Sequence, residues 1–589
     1  MAKYRTLVTL AGIALTSAVF VASCGKAAST PTATATPTKT ATAPTATVSV
    51  APTATTAASP TPTNVPTPTP RPTPTTVPTP SAPQPKYGGT MSMRISGAFA
   101  NEWDTYSSAG RNSVIITENL LSNLTFIDAR DGSTIRPDLA ESWTLSPDGK
   151  TLTYQLRKDV KWQDGKSLVA SDVVASLERA RKPDNPANSV HAARLAIVTG
   201  ITATSDSTVQ ITLSRPSASF LVVMSVPNLT IYPAKPIADW KTQPIGTGPF
   251  KFKAFKANES AEFVRNDSYF KSDAKGNKLP YLDGVKYIWV IDQNLAFSAF
   301  RTGQLSCACG FSSDIIDTQK DQAVSSIPGV KFGTSWKTDF LQLNDARKPF
   351  SDLKVRQGLS IGFDRSKLSN VIPGGAKYYP PAYFVPDQLD GKLSLTTKEL
   401  LQTPGYKNPK APDTQMAKQL FDQANFDPKQ TTIAFVATNA NPEIKEAITS
   451  ILMEMGFKVN LQMKGTAETT QALIQGNFDI TLLGGGGSFD DPSDVIVPSA
   501  KTGGGLNYGR MSNAKIDQLL NDQDSVADPA KRRSMIIDLQ KELLSDASFT
   551  PAYSLAGLYA AQPYVEGYDL DRAYVVSSAF RLDRVWFNR

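Results

Sequence analysis

Histidine is almost missing from this sequence: His191 is the only one in 589 residues. Cysteine is nearly as scarce, with Cys24, Cys307 and Cys309 the only three. One imidazole and no second cysteine pair supply no zinc ligand set and little for nickel, so neither a metal nor a cofactor is expected. The same shortage removes the base of a Ser–His–Asp hydrolase, and no G-x-S-x-G elbow surrounds any serine. The 53 acidic residues offer many carboxylate pairs of the glycosidase type, but nothing singles one out. The chain is therefore read as a non-enzyme, with a secreted hydrolase as a remote alternative.

Acidic residues are absent from positions 1–85, where Lys3, Arg5, Lys26, Lys39 and Arg71 contribute +5. The remaining residues carry only +3 of the formal +8, and no basic run stands out, so nucleic acid is not an expected partner. Long apolar runs are missing too. Leu7 to Phe20 is a weakly apolar stretch behind the positive Lys3 and Arg5, shorter than the roughly 20 residues of a membrane span. It ends in Val21-Ala22-Ser23-Cys24, which resembles the lipobox of bacterial lipoproteins, so Cys24 is the expected lipid-attachment residue and 1–24 a lipoprotein signal peptide.

Thr, Ala and Pro dominate the next segment. Residues 25–85 hold 15 of the 42 prolines and few bulky apolar side chains, too few to offset the entropy of ordering. A tether is expected there, with a maximum reach on the order of 190 Å if extended as polyproline II. Of the remaining cysteines, Cys307 and Cys309 are separated by one residue. A bridge across Cys-Ala-Cys would be strained, so two reduced or buried thiols are expected.

From Lys86 the texture becomes globular. Leu152–Leu156 and Val209–Leu213 alternate like half-exposed strands, with a turn signal at Ser146-Pro147-Asp148-Gly149. Ser171–Ala180 places Val173, Val174 and Leu177 on one face, with Ser171 as its expected N-cap. Ile516, Leu519 and Leu520 have helical spacing, as do Met535, Ile536, Leu539, Leu543 and Leu544 in a helix preceded by Asp528-Pro529. Gly246-Thr247-Gly248-Pro249 has the residues of a bend that side chains would obstruct. Trp143 and Trp162 flank strand-like runs and are read as core. Interleaved helices and strands give an α/β class.

Several segments of this body, in order, resemble the family 5 extracellular solute-binding proteins, the receptors of peptide and nickel type ABC importers. They are Lys86-Tyr87-Gly88-Gly89-Thr90, then Arg136 to Trp143 (RPDLAESW), then Leu156 to Gly165 (LRKDVKWQDG). Gly246 to Phe250, Asn266 to Phe270, Tyr281 to Val285, Lys348 to Phe350, Val355 to Leu359 and Phe363 to Arg365 come after them. The resemblance covers about residues 86–589. It implies a two-lobed fold of the type II periplasmic-binding-protein kind, with an extra domain inserted in lobe I. Lobe I would comprise 86–127, 243–335 and 548–589, the inserted domain 128–242, and lobe II 336–547. The chain would cross between lobes near Trp336 and Pro551, and a ligand would stabilise the closed form by hinge closure. The implied partners are a small-molecule or oligopeptide ligand, an ABC permease and its ATPase, and the membrane through the lipid anchor only. A monomer is implied, exported and held at the outer face of the cell membrane.

The ligand is less defined. In peptide-binding relatives an Asp in lobe II pairs with the peptide's α-ammonium, four residues before a Pro. The matching stretch here, Gly485 to Pro492, puts Ser488 at that position, and a neutral hydroxyl cannot make the charge-assisted bond. Asp490, beside Phe489, is a substitute if the loop shifts; the alternative is that Asp490 and Asp491 only cap a turn or helix start. A peptide, a peptide-like solute, or a non-peptide such as an oligosaccharide for uptake or signalling all remain open. Trp103, Tyr106, Trp336 and Phe340 complete the candidate ligand-binding residues.

Overall fold

A computed structural model describes residues 83–96, 103–106, 111–128, 130, 134–182, 192, 194–234, 242–309, 317–371, 384, 393–485, 491–526, 528–570 and 580–589. Cys24, the expected tether up to residue 82 and His191 lie outside the described residues. Among those described, no helix is long and apolar enough to cross a membrane.

The chain enters on β1 (Thr90–Ile95), which buries Met91, Met93 and Ile95 at alternate positions. A short antiparallel pair comes next, β2 (Thr125–Ile127) with β3 (Ile135–Pro137). Beyond it lie β4 (Ala140–Leu145), β5 (Thr151–Leu156), β6 (Val198–Ser205) and β7 (Thr208–Leu213). They form an antiparallel sheet in the order β4-β5-β7-β6. The alternation read in the sequence decides its inner face: Leu152, Tyr154 and Leu156 on β5 and Val209, Ile211 and Leu213 on β7 are all buried. Gly149 takes a φ of +68° in the turn before β5, which favours glycine.

Helix α1 (Ala170–Arg181) packs against β6 and β7. Its N-cap is Val169, not the expected Ser171. The Asp172 carboxylate accepts the Val169 N–H at 3.1 Å and the Trp162 indole N–H at 3.2 Å, so the charged acceptor one residue on fixes the helix start. Trp162 is buried and Trp143 half-buried against the same core.

The largest sheet has ten strands. Besides β1 it contains β8 (Phe250–Lys256), β9 (Ser260–Arg265), β10 (Gly284–Trp289), β11 (Cys307–Ala308), β12 (Lys331–Leu343), β13 (Thr432–Thr438), β14 (Lys458–Lys464), β15 (Ile480–Gly485) and β16 (Phe549–Ala561). Their order is β14-β13-β15-β12-β16-β11-β1-β10-β9-β8. Finally β17 (Val565–Glu566) pairs with β18 (Trp586–Phe587).

The expected bend at Gly246–Gly248 exists because of a close approach. A Cβ on Gly246 would stand 1.9 Å from the Leu120 carbonyl oxygen, and one on Gly248 2.5 Å from the Leu120 carbonyl carbon. The expectation for Cys307 and Cys309 is overturned: the two are joined by a disulfide. On an extended strand, side chains two residues apart share a face, and here the Cα atoms are 5.3 Å apart, within the range a bridge requires.

Candidate functional site

Two 13-residue strands, β12 and β16, run antiparallel through the middle of the ten-stranded sheet. On one side lie β15, β13 and β14 with a core built on Leu341, Phe350, Leu359, Ile433, Phe435 and Ile448. On the other lie β11, β1, β10, β9 and β8, with a separate core around Met91, Met93, Phe263 and Tyr287. The register of the pair slips between Asp339 and Phe340, opposite Tyr553 and Pro551. Proline has no N–H to give a ladder, so a bulge beside Pro551 has a local cause.

At that bulge sits a carboxylate that sequence patterning does not single out. Asp339 is 5% exposed, accepts the Tyr553 hydroxyl, and faces Gly484 at the end of β15. A Cβ on Gly484 would meet an Asp339 oxygen at 3.5 Å. After β15 come Ser488, Phe489 and Asp490, and these three lie outside the described residues. Just beyond them, Asp491 is held by both nitrogens of Arg532, at 2.7 and 2.9 Å, in a bidentate pair.

The other candidates are distributed differently. Trp336 belongs to β12, opposite Ala556 on β16; its side chain lies outside the described residues. Phe340 is fully buried and stacks on Phe549 with ring centroids 4.3 Å apart, so it belongs to a core and not to an open wall. Trp103 is 1% exposed and meets Phe252, Phe255 and Phe263 edge-on at 5.2, 5.6 and 6.1 Å. Tyr106 donates its hydroxyl to the Thr230 carbonyl at 2.5 Å and lies 5.0 Å from the Tyr232 ring. Burial, reinforced by Tyr232, pushes the Tyr106 phenol well above its ordinary range, so it stays protonated. Trp103 and Tyr106 are thus together, beside Arg179, whose guanidinium stands 4.5 Å over Tyr106 and is paired with Asp104 at 2.5 Å.

Two polar contacts join the region of the four-stranded sheet to the helices beyond β15. These are α2 (Pro492–Ala500), α3 (Ala514–Asp524) and α4 (Pro529–Asp546), the last capped by Asp528, which accepts the Lys531 N–H at 2.7 Å. Arg194 pairs with Asp494 on α2, and Arg215 with Asp524 on α3. Asp524 also accepts the Ser217 hydroxyl at 3.0 Å, the Ser219 hydroxyl at 2.6 Å and the Ser219 N–H at 3.1 Å. No sequence pattern links these residues, which lie about 300 positions apart. Among the described residues, no group of three or more His, Cys, Asp or Glu is placed to hold a metal ion.

The comparisons with known proteins agree on one family. The model described as bacterial extracellular solute-binding proteins, family 5 middle, matches residues 134–507. A protein of Pseudomonas aeruginosa named probable di/tripeptide-binding protein 5 is 26% identical, over 77% of this chain and 88% of its own. Two solved structures align with TM-scores of 0.71: AgaA from A.tumefacien R10 in complex with agropinic acid, 23% identical over 85% of this chain and 99% of its own, and DppA from Helicobacter pylori in complex with peptide STSA, 21% identical over 86% and 99%. The likeness to these two shows a shared fold.

Proposed function

Because the chain belongs to the bacterial extracellular solute-binding proteins of family 5, we propose that it is the substrate-binding receptor of an ABC importer, capturing a peptide or peptide-like solute and delivering it to a permease. The names of its relatives support a peptide ligand, and the AgaA complex with agropinic acid keeps a non-peptide solute as the second reading.

The observation that carries the reading is the pair of crossing strands. With separate cores on the two sides of β12 and β16, the natural motion is rotation about those strands, with the bulge at Asp339 as the point that bends. On this reading the sides are lobe I (86–127, 243–335 and 548–589, carrying the inserted domain 128–242) and lobe II (336–547). The ligand sits beside the crossing, next to the end of β15, with Ser488, Phe489 and Asp490 the candidate contacts that follow that strand in sequence. Closure selects the bound form and presents a surface to the permease; no covalent chemistry is asked of the receptor. Cys24 anchors the mature chain by lipid to the outer face of the cell membrane, and residues 25–85 are the spacer.

Asp339 supplies what Ser488 lacks. A buried carboxylate next to the end of β15 is suited to a cationic group, and an α-ammonium is the cation every free peptide carries. Calorimetry against a tripeptide series with free and acetylated N-termini tests this. Binding of the free forms that weakens about tenfold or more on acetylation, and equally in Asp339→Asn, is expected. Binding indifferent to acetylation would overturn the ammonium assignment, and no binding by any peptide would favour the non-peptide reading.

A further inference from the structure

Away from the crossing strands, β2, β3, the residue after β5, the segment Phe270–Ser272 and the C-terminal stretch before β18 converge on a cavity of about 460 Å³. That is within the range of small-molecule sites, roughly 300–1,000 Å³. Among the described residues its wall carries five cations, Arg130, Arg136, Arg157, Lys271 and Arg584, and not one carboxylate. The remaining wall is mainly apolar, made of Phe126, Pro137 and Phe270 with Ser272.

The carboxylates near this wall lie behind it, and two of them are shared by four cations. Asp128 takes Arg130 at 2.5 Å and Arg136 at 3.1 Å; Asp138, fully buried, takes Lys271 at 2.7 Å and Arg581 at 2.9 Å. Burial pushes the Asp138 carboxyl up, but Arg581 and Lys271 outweigh it and hold it below its ordinary value. Arg157 gives its Nε–H to the Asp138 backbone carbonyl at 2.8 Å, and its guanidinium stands 5.7 Å from the Phe270 centroid. Neither Arg157 nor Arg584 has a carboxylate within ion-pair distance among the described residues. Even counting Asp583 and Glu118, which also act on Arg581, six cations of this group face four acids among the described residues. Five cations around one cavity set up a positive potential that favours an anion there. Guanidinium forks match the two-oxygen edge of a phosphoryl or carboxylate group.

We propose that this cavity is a second ligand site, separate from the solute site beside β12 and β16, and that it binds a small multivalent oxyanion. Arg157 and Arg584 make the contacts that no protein carboxylate takes, and Lys271 supplies charge from the floor. Lys271 is held there by Asp138 and lies 4.3 Å from the Phe126 ring centroid. Burial pulls its ammonium down to about 8, with Asp138 opposing, so it still carries its proton at neutral pH.

The test is titration of the purified protein with pyrophosphate, citrate and sulfate at low ionic strength, followed by calorimetry. The three probes separate phosphoryl from polycarboxylate preference and both from simple anion screening. Saturable binding of pyrophosphate or citrate is expected, weakened about tenfold or more in Arg157→Gln/Arg584→Gln and by a smaller factor in Arg584→Gln alone. Arg584 is exposed and has no ion-pair partner to lose among the described residues, so the single variant is expected to fold as the parent does and keeps the test valid if the double variant does not. Binding of the peptide series at the other site is expected to be unchanged in Arg584→Gln. No saturable binding at millimolar anion, equal binding of sulfate and pyrophosphate, or binding indifferent to both variants would overturn the proposal.

Discussion

Arg194 donates to Asp494 across 2.6 Å, with the guanidinium 12% and the carboxylate 1% exposed, joining the four-stranded sheet region to α2. A second junction, Asp524 with Arg215, Ser217 and Ser219, ties the same two regions. Removing one partner of a buried pair leaves the other charge uncompensated and costs roughly 3–5 kcal/mol. Arg194→Ala combined with Asp524→Ala is therefore expected to open the ligand-free protein, seen as a larger radius of gyration in solution scattering, and to weaken solute binding. An unchanged radius would mean that these contacts do not restrain lobe opening.

The bend at Gly246 is expected to tolerate no side chain. The Gly246 N–H donates to Gln163 at 3.1 Å, and a Cβ would collide with the Leu120 backbone, which cannot rotate away as a side chain can. Gly246→Ala is expected to lose about 2 kcal/mol or more by chemical denaturation. Gly276→Ala is the matched control for strain alone, since Gly276 has a φ of +85° but nothing near its Cβ position.

Asp345 gives a pH signature. Burial pushes its carboxyl up from 3.8 to about 6, against the pull of Arg356 and the Ser548 hydroxyl, with Asp546 adding to the rise. A carboxyl raised in the folded state favours folding while protonated. Its contribution is fully present below its ordinary value and lost as pH rises through about 6, a change on the order of 2–3 kcal/mol. The stability of Asp345→Asn relative to the parent is expected to be more favourable at pH 7 than at pH 4. A difference that does not change between those two values would show that Arg356 compensates the carboxylate fully.

Lipid attachment and solute capture are expected to be separable. A chain beginning at Lys86, without Cys24 and the tether, should bind the same peptides with the same affinity as the full chain in solution. Loss of binding in the shortened protein would place part of the site in the tether.

The legible and the hidden parts of the fold divide along physical lines. Leu152–Leu156 and Val209–Leu213 were legible because a strand with one buried face must alternate, and their pairing as β5 and β7 is consistent with that. The helix ending at Arg181 was legible from its apolar face, but its start at Val169 was not, because Ser171 and Asp172 both offer oxygens and only packing beside Trp162 makes Asp172 the acceptor of the Val169 N–H. Side-chain type alone proposed Trp103, Tyr106 and Phe340 for the site, yet aromatic rings are as apt to fill a core, and these three do. Asp339 was hidden because its partner Tyr553 lies 214 positions away, and the Asp524 junction because Ser219 is 305 away. Such contacts leave no periodic trace.

The position of β16 between β11 and β12 also orders events in time. Until residues 549–561 have appeared, β12 can pair only with β15 and β11 only with β1, so nothing joins the two halves of the sheet, and the last turn of construction comes later still. Phe587 packs where a Cβ on Gly89 would be only 2.6 Å from its ring, and Arg581 reaches Asp138. The opening and closing residues of the body are therefore sewn together last. Closing contacts over so many residues is slow, so the two halves of the ten-stranded sheet become one late in folding.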